Sequence, residues 1–97
     1  MNDHFERIMA IDDVQGVVWL DGAGSMQDSA SNIAPRQPYA RWPWRELAAV
    51  WKDIGDAEFV YEKIRIYIRR INSGYVVVIL GRRAQMSMIR LACEQLP

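Results

Sequence analysis

Few side chains in this sequence have the types and spacing that chemistry requires. The single histidine, His4, stands near the N-terminus with no cysteine close to it. A Ser-His-Asp set needs an imidazole held between a nucleophile and a carboxylate, and one histidine near the terminus gives no ground for such a set. The carboxylates Asp12-Asp13 and Glu58/Glu62 lack the alternating oxygen ligands of a calcium loop. One cysteine, Cys93, excludes an internal disulfide and any multi-cysteine metal site. Gly22-Ala23-Gly24 lacks the Gly-Lys-Ser/Thr ending of a phosphate loop, and a polar, strand-like segment follows it instead of a helix start. The expectation is therefore no catalytic residue, no metal and no cofactor.

Two groups of residues suit recognition better than catalysis. The first is Arg65, Arg69, Arg70, Arg82 and Arg83. On a strand, Arg65, Tyr67 and Arg69 share one face, which puts cations and an aromatic ring together as nucleic-acid binders do. The competing readings are a solvated face paired with carboxylates, or contact with a protein, where Arg is enriched. The second group is Trp42, Trp44 and Trp51, from a chain with four tryptophans in all. Trp44 and Trp51 are seven residues apart, so a helix places them on one side. They either pack on a sheet or anchor an interface, where tryptophan is favoured.

Composition bounds these readings. The chain has 97 residues, the size of one domain spanning 1–97, and 51% of them are hydrophobic. A core of this size leaves roughly a third of the unfolded chain's surface exposed. A second subunit would cover some of the apolar excess. Twelve basic and twelve acidic residues give zero net charge, so no global field draws the chain to nucleic acid or an anionic membrane. Nucleic acid is disfavoured on that ground. The N-terminus lacks an apolar leader and no segment approaches a membrane span. With Cys93 treated as a small core hydrophobe, the expected setting is a reduced cytoplasm.

The elements that position these residues follow from periodicity. Asp3 and Glu6 have capping spacing, and Phe5, Ile8 and Met9 form a stripe, predicting a helix over Asp3–Ile11. Val14–Leu20 is a strand, Asp21–Gly24 a turn and Ser25–Ser29 a short polar return strand. Ser31–Arg41, with two prolines, is a loop and the segment with least to bury. Pro43 suits a first helical turn, and Trp44, Leu47, Ala48, Trp51 and Ile54 carry that helix to Gly55. Glu58–Glu62 is a third strand. A hairpin at Glu62-Lys63 is preferred over one long strand continuing through Ile64–Arg69, because about fourteen residues is long for so small a domain. Asn72-Ser73-Gly74 is a clearer turn. Tyr75–Leu80 is apolar without alternation, which requires cover on both faces. Met88, Ile89, Ala92, Cys93 and Leu96 then mark a last helix. The fold class is α+β: order α-β-β-α-β-β-β-α, a five-stranded antiparallel sheet with helices on both faces in a profilin-like three-layer sandwich.

This order resembles the roadblock family of dynein-light-chain-like domains. The likeness is carried by Val14-Gln15-Gly16-Val17-Val18-Trp19-Leu20-Asp21-Gly22-Ala23-Gly24, and by Tyr75–Leu80 running into Ala84-Gln85-Met86-Ser87-Met88-Ile89-Arg90-Leu91. It spans nearly the whole chain. A short Trp-rich middle helix after a long Pro-containing loop, and a third hairpin without an Asp-Gly turn, depart from the family pattern. The resemblance implies a non-enzymatic homodimeric or heterodimeric module. Such domains pair sheets edge to edge with their middle helices side by side, and bind or regulate Ras-like small GTPases. Trp44, Leu47 and Trp51 on the helix, with Phe59 and Tyr61 on the edge strand, are then the expected interface. The alternatives are a nucleic-acid-binding module using the Arg/Tyr face, or a scaffold subunit of a larger complex.

Overall fold

The structure is a computed structural model, described here for residues 2–31, 42–72 and 74–96. The elements are α1 (Asn2–Met9), β1 (Val14–Leu20), β2 (Met26–Ser31), α2 (Trp44–Trp51), β3 (Asp56–Val60), β4 (Arg65–Ile71), β5 (Gly74–Leu80) and α3 (Met86–Glu94). Their order is the expected one. Five strands form one antiparallel sheet in the order β2-β1-β5-β4-β3. No helix among the described residues is long and apolar enough to cross a membrane.

The centre of the sheet explains the unbroken apolar run. β5 lies between β1 and β4, and all seven of its residues are buried. Tyr75, Val77 and Ile79 point to one face, where they meet Val18, Leu20 and the side chains of α2. Val76, Val78 and Leu80 point to the other, where they meet Phe5 and Ile8 of α1 and Ile89 and Cys93 of α3. One helix covers one face and two cover the other, the sandwich that a strand dry on both sides demands.

Several boundaries differ from the sequence expectations. α1 stops at Met9, not Ile11; a tight turn from Ile8 O to Ile11 N follows, and Asp13 adopts φ 64°. That strained turn is held because the Asp13 carboxylate accepts the Arg83 backbone N–H at 2.8 Å. β2 runs Met26–Ser31, so Ser31 ends a strand, while the remainder of the expected Ser31–Arg41 loop lies outside the described residues. α2 is shorter than expected: Pro43 precedes it as the N-cap, and Lys52 closes it before Ile54. β3 begins two residues early and ends at Val60, since Ala57 and Phe59 pair with Ile68 and Ile66. The hairpin was correctly preferred over a single long strand. Its turn closes where the Tyr61 N–H donates to Ile64 O at 2.9 Å. Met88 does not join the buried stripe of α3 and is 49% exposed. It sits one residue off the line through Ile89 and Cys93, about 100° round the helix.

Candidate interaction surface

α2 is eight residues long, so it spans about 12 Å and cannot cover a five-stranded face. Its placement is set from below and from the side. Trp44, Ala48 and Trp51 form one stripe that is buried against the sheet. Trp51 meets the Tyr75 ring edge-on at 6.3 Å and the Phe59 ring at 6.5 Å. On the β1–β2 side the turn at Gly24 presses on the start of α2. Gly24 has φ 87°, and a Cβ there would stand 2.7 Å from the Arg45 Cα. Only glycine allows both the backbone angle and this approach.

α2 is thus seated toward the β1–β2 side, and a groove of about 690 Å³ remains between it and the β3–β4 hairpin. Trp42, Trp44, Leu47 and Trp51 form one wall, and Phe59, Tyr61, Ile64 and Ile66 the other. Its charged residues, Glu62 and Lys63, belong to the hairpin turn. Trp42 tilts against Trp44 with ring centroids 5.3 Å apart. The lining is therefore mainly aromatic and aliphatic, and among the described residues no cluster of acids, bases or nucleophiles lies in it.

The five residues singled out from the sequence separate into three environments. Trp44 and Trp51 are each 5% exposed and belong to the chain's own core. Leu47 and Phe59 are half-buried along the groove. Tyr61 is exposed and lies in the turn after β3, not on the strand itself. Sequence reasoning singled out neither Val60, 71% exposed on β3, nor Val50, 73% exposed beside Leu47 on α2. The signal for Val50 was available: it lies one turn beyond Leu47, on the flank away from the buried stripe.

β3 forms one edge of the sheet. The Arg70 N–H bonds to Gly55 O at 2.8 Å and the Tyr61 N–H to Ile64 O at 2.9 Å, which fixes the phase of the β3–β4 ladder between them. Ala57 and Phe59 turn their backbone groups toward β4. Asp56, Glu58 and Val60 turn theirs outward, to an edge left open by the other described strands.

The Arg/Tyr face does form, but it is covered. Tyr67 is fully buried beneath α3, packed with Ile89 and Cys93. Its hydroxyl donates to Asp56 Oδ2 at 2.8 Å, Arg69 reaches that hydroxyl at 3.4 Å, and Arg90 stacks over the ring at 5.7 Å. Burial, chiefly, raises the phenol above its usual pKa, with the Asp56 carboxylate adding to the shift and Arg69 opposing it. Arg65 donates to the carbonyls of Gly81, Arg82 and Ala84, and pairs with Glu58 at 3.4 Å. A ring buried under a helix cannot stack on a base, and Arg65 already holds the turn before α3. Burial pushes the Cys93 thiol up to about 12. Among the described residues no three His, Cys, Asp or Glu side chains converge as metal ligands would.

No family model and no curated protein matches the sequence. Solved structures do match the fold. MglB of Myxococcus xanthus superposes with a TM-score of 0.77 at 16% identity, covering 97% of this chain and 85% of its own. An MglB with a tetrameric arrangement gives 0.73 at 14% identity, covering 97% and 79%. A Roadblock/LC7 domain from Streptomyces avermitilis gives 0.69 at 12% identity, covering 95% and 87%. At these identities the likeness is one of fold: the chain has the architecture of a roadblock domain.

Proposed function

We propose that this roadblock-fold chain is a non-enzymatic interaction module that self-associates through α2 and β3 and presents the resulting dimer to a Ras-like small GTPase. The observation that carries the proposal is the pairing of an open strand edge with an apolar groove on one side of the molecule. Leu47 on the helix, with Phe59 and Tyr61 on the hairpin, lines that groove, and the exposed Val50 lies one turn beyond Leu47 on α2; the groove's charged residues, Glu62 and Lys63, are confined to the hairpin turn. An unprotected edge is a template for another strand, and two-fold pairing closes it without growing a fibre. A side-by-side helix pair over the groove would cover the residues α2 leaves exposed. Trp44 and Trp51 then support the seam from beneath, while Leu47 and Phe59 face it and Tyr61 lies at its rim.

The roadblock fold and a structural neighbour in a tetrameric arrangement support assembly of this kind. The GTPase part rests on the resemblance to roadblock domains and on a site made for contact rather than catalysis. Sedimentation across a micromolar dilution series tests self-association: a dimer is expected, and a monomer at all concentrations refutes it. Titration of purified Ras-like GTPases from the source organism, loaded with a GTP analogue or with GDP, tests the partner. Binding that differs between the two nucleotides is expected. Absence of binding in either state refutes that part.

A further inference from the structure

We infer that β3 pairs with β3 of a second copy in one register, centred on Glu58, and that Arg65 makes this register tolerable by neutralising Glu58 from behind. The inference rests on the self-association reading and specifies which residues make the edge recognise its own kind.

The register follows from the ladder. The open edge offers the backbone groups of Asp56, Glu58 and Val60. An antiparallel two-fold centred on Glu58 forms three bonded pairs: Glu58 with its copy, and Asp56 with Val60 twice. A slip of two residues either way leaves two. The same centre sets Ala57 opposite Phe59 of the second copy on the α2 face. A small residue thus faces a large one, next to the apolar groove. β3 spans only Asp56–Val60, so any slipped register has fewer strand residues to pair.

This register has a difficulty on the opposite face, where the Glu58 carboxylates of the two copies become neighbours. Directly paired side chains have Cβ atoms about 5 Å apart, and like charges there are unfavourable. The answer is built into each chain. Arg65 lies on the same face, diagonal to Glu58, with Nη1 3.4 Å from Oε2. Its side chain is only 16% exposed and is pinned by carbonyls of the turn before α3. A pinned cation pays little further entropy on association, so each copy brings its own compensation to the seam. The second copy then meets a symmetric row of charges, arginine, glutamate, glutamate, arginine, in which each central carboxylate is flanked by its own chain's cation. A partner strand with a different charge at the central position would meet an edge adapted to a carboxylate. The β5–α3 turn also becomes coupled to the seam, because the same guanidinium holds both.

Cross-linking tests the register directly. Glu58→Cys places two thiols on paired residues with Cα atoms about 5.5 Å apart, within disulfide range. Val60→Cys places them four residues out of step, roughly 13 Å apart. Cys93 is 1% exposed and its thiol is pushed up to about 12, so the native cysteine stays silent. Under mild oxidation a band at twice the chain mass is expected for Glu58→Cys and not for Val60→Cys. Arg65→Gln is expected to weaken self-association roughly fivefold, and Glu58→Gln in the same chain to restore it. A Val60→Cys band without a Glu58→Cys band overturns the register while leaving the dimer standing. Equal loss in Arg65→Gln with and without Glu58→Gln overturns the compensating role. A wild-type chain that sediments as a monomer removes the self-association reading and this inference with it.

Discussion

Val50→Asp separates an interface role from a folding role more cleanly than any substitution at a tryptophan. Val50 lies on the flank of α2 beside Leu47 and is 73% exposed in the single chain. Fully burying a valine side chain contributes ~1.5–3 kcal/mol. Covering the exposed part at a seam therefore contributes about 1–2 kcal/mol per chain. A two-fold axis brings two copies, so losing both costs about 2–4 kcal/mol and raises the dissociation constant roughly 30- to 1,000-fold. Desolvating the new carboxylate adds to that figure. The isolated fold should lose less. Asp and Val have similar helix propensities, and a carboxylate in the last turn of α2 costs at most about 1 kcal/mol through the helix dipole. Sedimentation equilibrium across a dilution series, with urea unfolding below the dissociation constant, measures both quantities. A dissociation constant within threefold of wild type would sink the argument that this flank of α2 meets a partner. So would a monomer destabilised by 2 kcal/mol or more, because Val50 would then be supporting its own chain.

Other outcomes follow from the same contacts. Tyr67→Phe removes the 2.8 Å donation to Asp56, whose side chain is partly exposed, and should cost about 1–2 kcal/mol in urea unfolding with an unchanged slope. Because burial raises the Tyr67 pKa above 10.0, the folded state holds this proton more tightly than the unfolded state. Wild-type stability should thus be fully present below pH 10 and fall as pH rises through the folded-state value, a loss that Tyr67→Phe lacks. Gly74→Ala should destabilise by at least ~2 kcal/mol, since Gly74 has φ 141° and a Cβ would stand 2.0 Å from Leu20 O; a thermal midpoint within 2 °C of wild type would contradict this. Cys93, buried and with its thiol pushed up to about 12, should resist an aromatic disulfide reagent at pH 8 until urea unfolds the chain. Reaction at the rate of a free thiol would show that α3 opens readily from the sheet.

Much of the architecture was legible in the sequence because it depends on local periodicity. The unbroken run Tyr75–Leu80 demanded cover on both faces, and β5 lies at the sheet centre under three helices. Val14–Leu20 was delimited to the residue, since turn formers bound it on both sides. The hairpin between β3 and β4 was also legible, but its register was not. Glu58–Glu62 and Asp56–Val60 offer similar patterns, and the choice falls to the apolar pairs Ala57–Ile68 and Phe59–Ile66, which exist only once β4 is alongside. That shift of two residues moved Tyr61 off the strand and brought Glu58 to the middle of the open edge.

The surfaces depended still more on tertiary structure. Sequence placed Trp44 and Trp51 on one helix side, but periodicity cannot say whether an apolar stripe meets its own sheet or another chain. The answer came from α2 being only eight residues long and seated toward β1–β2, with Gly24 allowing the close approach. The tryptophans go down into the core, and the uncovered remainder becomes the groove. Arg65, Tyr67 and Arg69 were correctly placed on one strand face, yet α3 lies across that face, so a ring suited to stacking is sealed and a cation suited to phosphate holds a turn. A strand's alternation decides which side chains share a face. Which face stays open is decided by where the helices, distant in sequence, come to rest.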